Sequence, residues 1–224
     1  MRDPYLYKDN NVLINLLGIK DQKELDAAEA DYVSMRLREL ATDPLPGPFD
    51  FKHLLRMHQY IFQDNYEWAG VIRKMNIEKE EPVLGGLSIE YSDVFDIQKD
   101  TERVLKKMND RDWSSMNQSE HTEMFSRDLA ELWKIHPFRE GNTRTIITFC
   151  CQFADEHGFP IDRDIFEKNS RYVRTALVAY NAVFYDMGDL PIKAQELVKE
   201  WLALNRDELQ IMWDTQKIGK LPPL

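Results

Sequence analysis

Residues 136–145 read His-Pro-Phe-Arg-Glu-Gly-Asn-Thr-Arg-Thr, a run in which a base, a hard oxygen ligand, a backbone anion cradle and a phosphate-binding cation follow one another. His136 titrates near neutrality and can take a proton from an attacking hydroxyl. Glu140 is the ligand type that holds magnesium together with substrate phosphates. Gly141 lets the chain turn, and the leading amides of a following helix, those of Gly141, Asn142 and Thr143, form an anion site, with the Asn142 oxygen expected to cap that helix. Arg144 offers a planar fork of donors to a phosphoryl oxygen. Pro137 and Phe138 read as structural, the proline fixing the turn and the ring anchoring the loop in the core. Each residue alone would pass for an ordinary helix end or cap. Their joint spacing points to a site that binds a phosphate-bearing substrate with a metal and takes a proton from a hydroxyl.

That loop needs a helix on either side. Met124, Leu129, Leu132 and Trp133 precede it at helical spacing, and Ile146, Ile147, Phe149 and Cys150 follow. The helix delivering His136 is expected to be capped by Asn117 or Ser119, and the one after the loop to end near His157-Gly158-Phe159-Pro160. Upstream, Asp21 with Glu24 resembles a capping box and opens a helix of about residues 22–41, striped by Leu25, Ala28, Val33 and Leu37 and ended by Pro44, Pro46 and Pro48. Asp50 caps a second helix through Phe62, and Asp93 starts another to about Met108. Residues 74–92, rich in turn and strand formers and carrying Gly85-Gly86, predict a short hairpin, and two further patterned segments cover about 164–184 and 190–205. The expectation is an all-α bundle with a small β-hairpin, one domain over 1–205, and a weakly periodic tail or linker over 206–224.

The 136–145 run resembles the signature of Fic (filamentation induced by cAMP) domains, His-x-Phe-x-Asp/Glu-Gly-Asn-Gly-Arg-x-x-Arg. Tyr66-Glu-Trp-Ala-Gly-Val-Ile-Arg73 looks like the family segment leading into its flap, residues 77–90 lie where the flap hairpin should be, and Tyr5 to Ile19 looks like the opening of toxin and secreted-effector members. The resemblance implies a Fic-type helical bundle that moves AMP from ATP onto a Tyr, Thr or Ser hydroxyl of a target protein. His136 would then be the general base, Glu140 the Mg2+ carboxylate, Gly141, Asn142 and Thr143 the anion hole, and Arg144 the grip on the distal phosphates. Flap residues Gly85, Gly86, Leu87 and Ser88 would aim the target, with Leu87 as apolar clamp, by strand addition to a hairpin edge. Two positions depart from the pattern: Thr143 stands for glycine and Ile147 for the second arginine. Losing a charge-assisted contact costs about 1.5–3 kcal/mol, and the Doc branch, which also lacks both residues, transfers phosphate from a reversed nucleotide. Phosphoryl or another phosphate-linked transfer is therefore the alternative, and a non-catalytic binding module the third reading. No Ser/Thr-x-x-x-Glu-Gly/Asn inhibitory pattern occurs: four residues after Ser34 stands Arg38, and Glu39 is one place late. The resemblance thus implies a separate small antitoxin-like inhibitor.

With 224 residues and 43% hydrophobic content the chain can build one sizeable core. A net charge of −10 argues against nucleic acid or an anionic membrane surface as partner, and favours a protein. Cys150 and Cys151 are adjacent, with neither metal nor redox spacing, and read as packed thiols in a reducing compartment. No secretory h-region opens the sequence and no apolar stretch nears 18 residues. The expectation is a bacterial cytoplasmic protein, with delivery into a host cell as an effector left open. His53, His58, His121 and His157 are expected in surface or core roles, and with no GxxxxGK[ST] or GxGxxG run, nucleotide binding rests on the helix-start cradle.

Overall fold

Two helices joined by residues 136–141 occupy the centre of the computed structural model, which describes residues 2–186 and 188–204. Eight α-helices are described: α1 (Gln22–Thr42), α2 (Phe51–Phe62), α3 (Ile97–Asn109), α4 (Gln118–Ile135), α5 (Asn142–Glu156), α6 (Arg163–Lys168), α7 (Ser170–Asn181) and α8 (Ile192–Leu204). The expected tail, 206–224, lies outside the described residues.

Local chemistry sets the helix starts. Asp21 accepts the amides of Lys23 and Glu24, Asp50 accepts that of His53, and Asn117 forms a full capping box with Glu120. The start expected at Asp93 falls instead at Ile97, because the Asp93 carboxylate accepts from Phe95 N at 2.9 Å and Asn76 Nδ2 at 2.8 Å and turns the chain before the helix begins. The segment expected over 164–184 is divided: α6 and α7 are separate, and a π turn, Ala182–Asp186, follows.

Burial follows periodicity. On α2 the positions Leu54, Met57, Ile61 and Phe62 are fully buried, and on α5 so are Ile146, Phe149, Cys150, Phe153 and Ala154. Both cysteines are buried free thiols, and burial pushes their pKa values up, that of Cys151 to about 12. Helix α4 packs against α3, α5 and α7, while α2 packs against α1, α3 and α5. The loop between α4 and α5 is thus walled by most of the bundle.

The expected β-hairpin is not formed. Among the described residues 77–90 has one isolated antiparallel bridge, Glu81 to Leu87, around a 3-10 turn Pro82–Leu84. Two features stop a ladder from growing. Pro82 has no amide to donate, and Lys79 N, which would make the next rung, donates to the Ser88 hydroxyl at 3.1 Å. Gly85 (φ 68°) and Gly86 (φ 91°) close the turn in left-handed conformations that favour glycine.

Both ends of this flap are tied to the central loop by one side chain. Arg73 is 1% exposed, and its guanidinium donates to His136 O (2.9 Å), Met75 O (2.7 Å), Asn76 Oδ1 (3.2 Å) and Ser92 O, while its amide donates to Pro137 O at 2.9 Å. Removing it leaves the buried His136 carbonyl unpaired, worth about 1–3 kcal/mol, and frees three further acceptors that water reaches in part. Arg73→Met should therefore lower the unfolding free energy by about 1–3 kcal/mol in urea titrations, and Arg73→Lys should recover only part, because one ammonium cannot span the flap's two ends.

Candidate active site

His136 ends α4 in the left-handed region (φ 52°, ψ 59°), the one non-glycine residue among those described with positive φ. Such a conformation costs a non-glycine residue about 1–2 kcal/mol, and it persists because Arg73 grips the His136 carbonyl and Pro137 fixes the next step. The imidazole is fully buried, stacked on Tyr91 at 4.1 Å and edge-on to Trp133 at 5.1 Å. Nδ1 lies 3.3 Å from Trp133 O, which assigns the proton to Nδ1, and Nε2 is buried with no hydrogen-bond partner. Burial, then the charges of Lys79 and Arg174, hold its pKa well below that of free imidazole. The ring is a neutral base with its lone pair free.

Phe138 is fully buried, as expected, and stacks on His58 at 3.7 Å. Asn142 does not cap α5. Its side chain accepts from Phe138 N at 2.8 Å and donates to Phe138 O at 2.7 Å, so it staples the loop; the cap position belongs to Gly141, and no side chain caps the α5 amides. Gly141 is demanded twice over: its φ is 78°, and a Cβ there would lie 2.2 Å from the Phe62 ring. The Thr143 hydroxyl accepts from the Trp133 indole N–H at 2.8 Å, a contact glycine could not make.

Three cations around the loop, Lys79, Arg144 and Arg174, each rest on a carboxylate, and Arg139 of the loop itself pairs with Asp3 at 2.7 Å. Glu140 accepts from Lys79 Nζ at 2.8 Å through one oxygen and from Gly141 N at 3.0 Å through the other. Burial raises the Glu140 pKa, but Lys79 and the Gly141 amide outweigh it and hold the value at about 2. Arg144 bonds Glu29 Oε1 of α1 at 2.5 Å and lies over the Phe62 ring at 4.9 Å, and Tyr66 donates to the other oxygen of Glu29. Arg174 of α7 bonds Glu81 of the flap at 2.5 Å. The flap reaches the loop through Lys79 and Tyr91. Its tip packs elsewhere: the turn of Gly85 meets α8 near Leu197, Leu87 is 41% exposed, and Ser88 Oγ is engaged by Lys79 N and Ile89 O.

Sequence reading assembled the loop but not Lys79, Glu29, Tyr91, Arg174 or His58. His58 has the expected core role, yet its position matters to the site: Nδ1 accepts from Gly70 N at 2.8 Å and Nε2 donates to Glu140 O at 3.1 Å. Its place on the buried stripe of α2, between Leu54 and Phe62, is a signal that could have marked it. Glu39 sits apart from the loop, bound to Arg36 at 3.0 Å and Tyr60 at 2.9 Å.

Comparison with known proteins decides the family. Residues 48–154 match the Fic/DOC family model. The chain is 34% identical over 171 residues to "Probable protein adenylyltransferase y4lH" of Sinorhizobium fredii, covering 75% of this chain and 83% of that one. The chain belongs to the Fic/DOC family. It is also 31% identical over 179 residues to protein adenylyltransferase VbhT of Bartonella schoenbuchensis, covering 80% of this chain but spanning only 36% of that relative. The Fic fold is shared with the N-terminal Fic domain of a VirB-translocated Bep effector from Bartonella quintana, at TM-score 0.66 and 23% identity, over 92% of this chain and 97% of that one. It is shared too with BepC of Bartonella tribocorum, solved with AMPPNP bound, at TM-score 0.65 and 22% identity over 88% and 94%. Among the described residues no helix of this Fic domain is long and apolar enough to cross a membrane.

The buried histidines set a pH dependence. Burial pushes His58 down to about 3 from 6.5, and His136 shifts in the same direction. The unfolded chain takes up these protons below 6.5 and the folded chain does not, so stability falls as pH falls through that value, by about 1.4 kcal/mol per pH unit per histidine. His58→Phe should flatten the slope between about pH 6.5 and 5, above the carboxylate range, by one proton's worth. Equal slopes in urea titrations of both proteins would contradict this.

Proposed function

We propose that this Fic domain is a protein adenylyltransferase that moves AMP from ATP onto a Tyr, Thr or Ser hydroxyl of a target protein. The observation carrying the proposal is the unpartnered, neutral Nε2 of His136 on the loop whose far end opens into α5, a helix with no side-chain cap. The names of VbhT and y4lH and the AMPPNP bound in BepC support the same chemistry.

The target hydroxyl oxygen attacks the α-phosphorus, its proton passes to His136 Nε2, the bond to the bridging oxygen breaks, and pyrophosphate leaves. The depressed basicity keeps the imidazole unprotonated and ready at neutral pH. The Asn142 and Thr143 amides with Gly141 would cradle phosphate oxygens at the positive end of α5, the Thr143 hydroxyl proton adding a donor while Trp133 holds its oxygen, and Arg144 would turn from Glu29 to the distal phosphates. Among the described residues no group of three or more His, Cys, Asp or Glu could hold a metal by itself. A single ionised carboxylate, Glu140, fits an ion shared with phosphates, and one of its oxygens already carries the Lys79 ammonium. Glu140 would hold Mg2+ there, and the bound ion would offset phosphate charge. The exposed Leu87 would offer the target an apolar contact.

Intact-mass analysis of acceptor protein after incubation with ATP and Mg2+ should show one AMP moiety. His136→Ala should slow its appearance by about a hundredfold or more. A phosphate adduct would assign the reversed nucleotide instead, and an unmodified acceptor would sink the transferase reading.

A further inference from the structure

We propose that Arg174, outside the signature loop, is a phosphate-binding residue of the nucleotide site, held in reserve by Glu81. The inference rests on the nucleotide-transfer reading above. Trp133 organises the arrangement. Its indole N–H bonds Thr143 at 2.8 Å, its edges meet His136 at 5.1 Å and Tyr91 at 6.1 Å, and the Arg174 guanidinium lies over its ring at 5.9 Å. One ring therefore sets the base, the start of α5 and a guanidinium from α7 around a common wall.

The charge requirement of a triphosphate points the same way. At position 147, on the second turn of α5, stands an isoleucine packed against the hydrophobic core, so that turn supplies no cation beyond Arg144. Lys79 is committed to Glu140. Arg174 retains 31% side-chain exposure and can still be reached by a ligand, whereas its partner Glu81 is 5% exposed. A carboxylate that buried is costly without a counter-ion, so in the absence of nucleotide it holds the nearest guanidinium. Glu81 engages Arg174 through one oxygen, whereas a phosphate can take both prongs of the fork with more charge, so the guanidinium can exchange one for the other. Glu81 and Arg174 would then link nucleotide arrival to the flap, because Glu81 also makes the flap's single backbone bridge to Leu87.

The test measures equilibrium binding of a non-hydrolysable ATP analogue to the full chain by calorimetry. Arg174→Met should bind about tenfold more weakly, with Arg174→Lys between it and the unmodified chain. Glu81→Gln, which keeps size and an acceptor but removes the competing charge, should bind more tightly. Opposite signs for the two substitutions support the exchange. If Arg174→Met binds as tightly as the unmodified chain, or if both substitutions weaken binding alike, the pair is only a flap anchor and the inference is overturned. If the unmodified chain binds no nucleotide, the proposed function itself fails and this inference falls with it.

Discussion

A single buried guanidinium holds this active site in shape. Arg73 donates to the His136 carbonyl and to Met75 and Ser92, which flank the flap, and its backbone amide donates to Pro137. The left-handed turn at His136, the direction of its imidazole and the placement of the flap are therefore one structural decision. The acceptors of its guanidinium are neutral oxygens, and the nearest carboxylate, Asp93, acts on it from beyond Asn76 without a direct bond. Burial lowers its pKa, and the hydrogen bonds compensate only if all of them form together. That cooperativity would suit the proposed role of His136, whose base must sit within hydrogen-bond reach of an incoming hydroxyl.

Around that frame the loop is electrostatically closed on itself. Lys79 rests on Glu140, Arg144 on Glu29 and Arg174 on Glu81, so each cation that a phosphate would attract is neutralised by a partner from the flap, the loop or α1. On the proposed reading, a nucleotide reaching the loop would exchange carboxylates for phosphates and would not recruit bare charges from water. The cost of solvating exposed cations is avoided, and the affinity then depends on how readily each pair opens. His136 takes no part in these exchanges. Its neutrality is set by burial and by the two nearby positive charges, and its free Nε2 remains the constant feature of the site.

The helices and the loop were legible in the residues because their determinants are local. Asp21, Asp50 and Asn117 cap within three residues of themselves, and the apolar spacing of α2 and α5 matches what is buried. The parts that were not legible depend on pairing at a distance. Glu29 meets Arg144 across 115 positions and Glu81 meets Arg174 across 93, and neither spacing leaves a periodic trace. Asn142 was expected to cap because its type does so in isolation, but a buried asparagine beside an unpaired peptide group satisfies Phe138 first. The flap carries hairpin composition, yet Pro82 and the Ser88 hydroxyl remove the rungs that composition promises. Thr143 and Ile147 were visible as departures from the family pattern, but what they mean for the site emerged only with Trp133 and the core around them.

The proposed chemistry requires a neutral imidazole whose proton is on Nδ1 and whose Nε2 lone pair is free. Nitrogen-15 NMR of the histidine side chains, followed from pH 8 downward, reads this directly. The account predicts that His136 shows the Nδ1–H tautomer and stays neutral well below the 6.5 of a free imidazole. An Nε2–H tautomer, or a ring that protonates near 6.5, would contradict it.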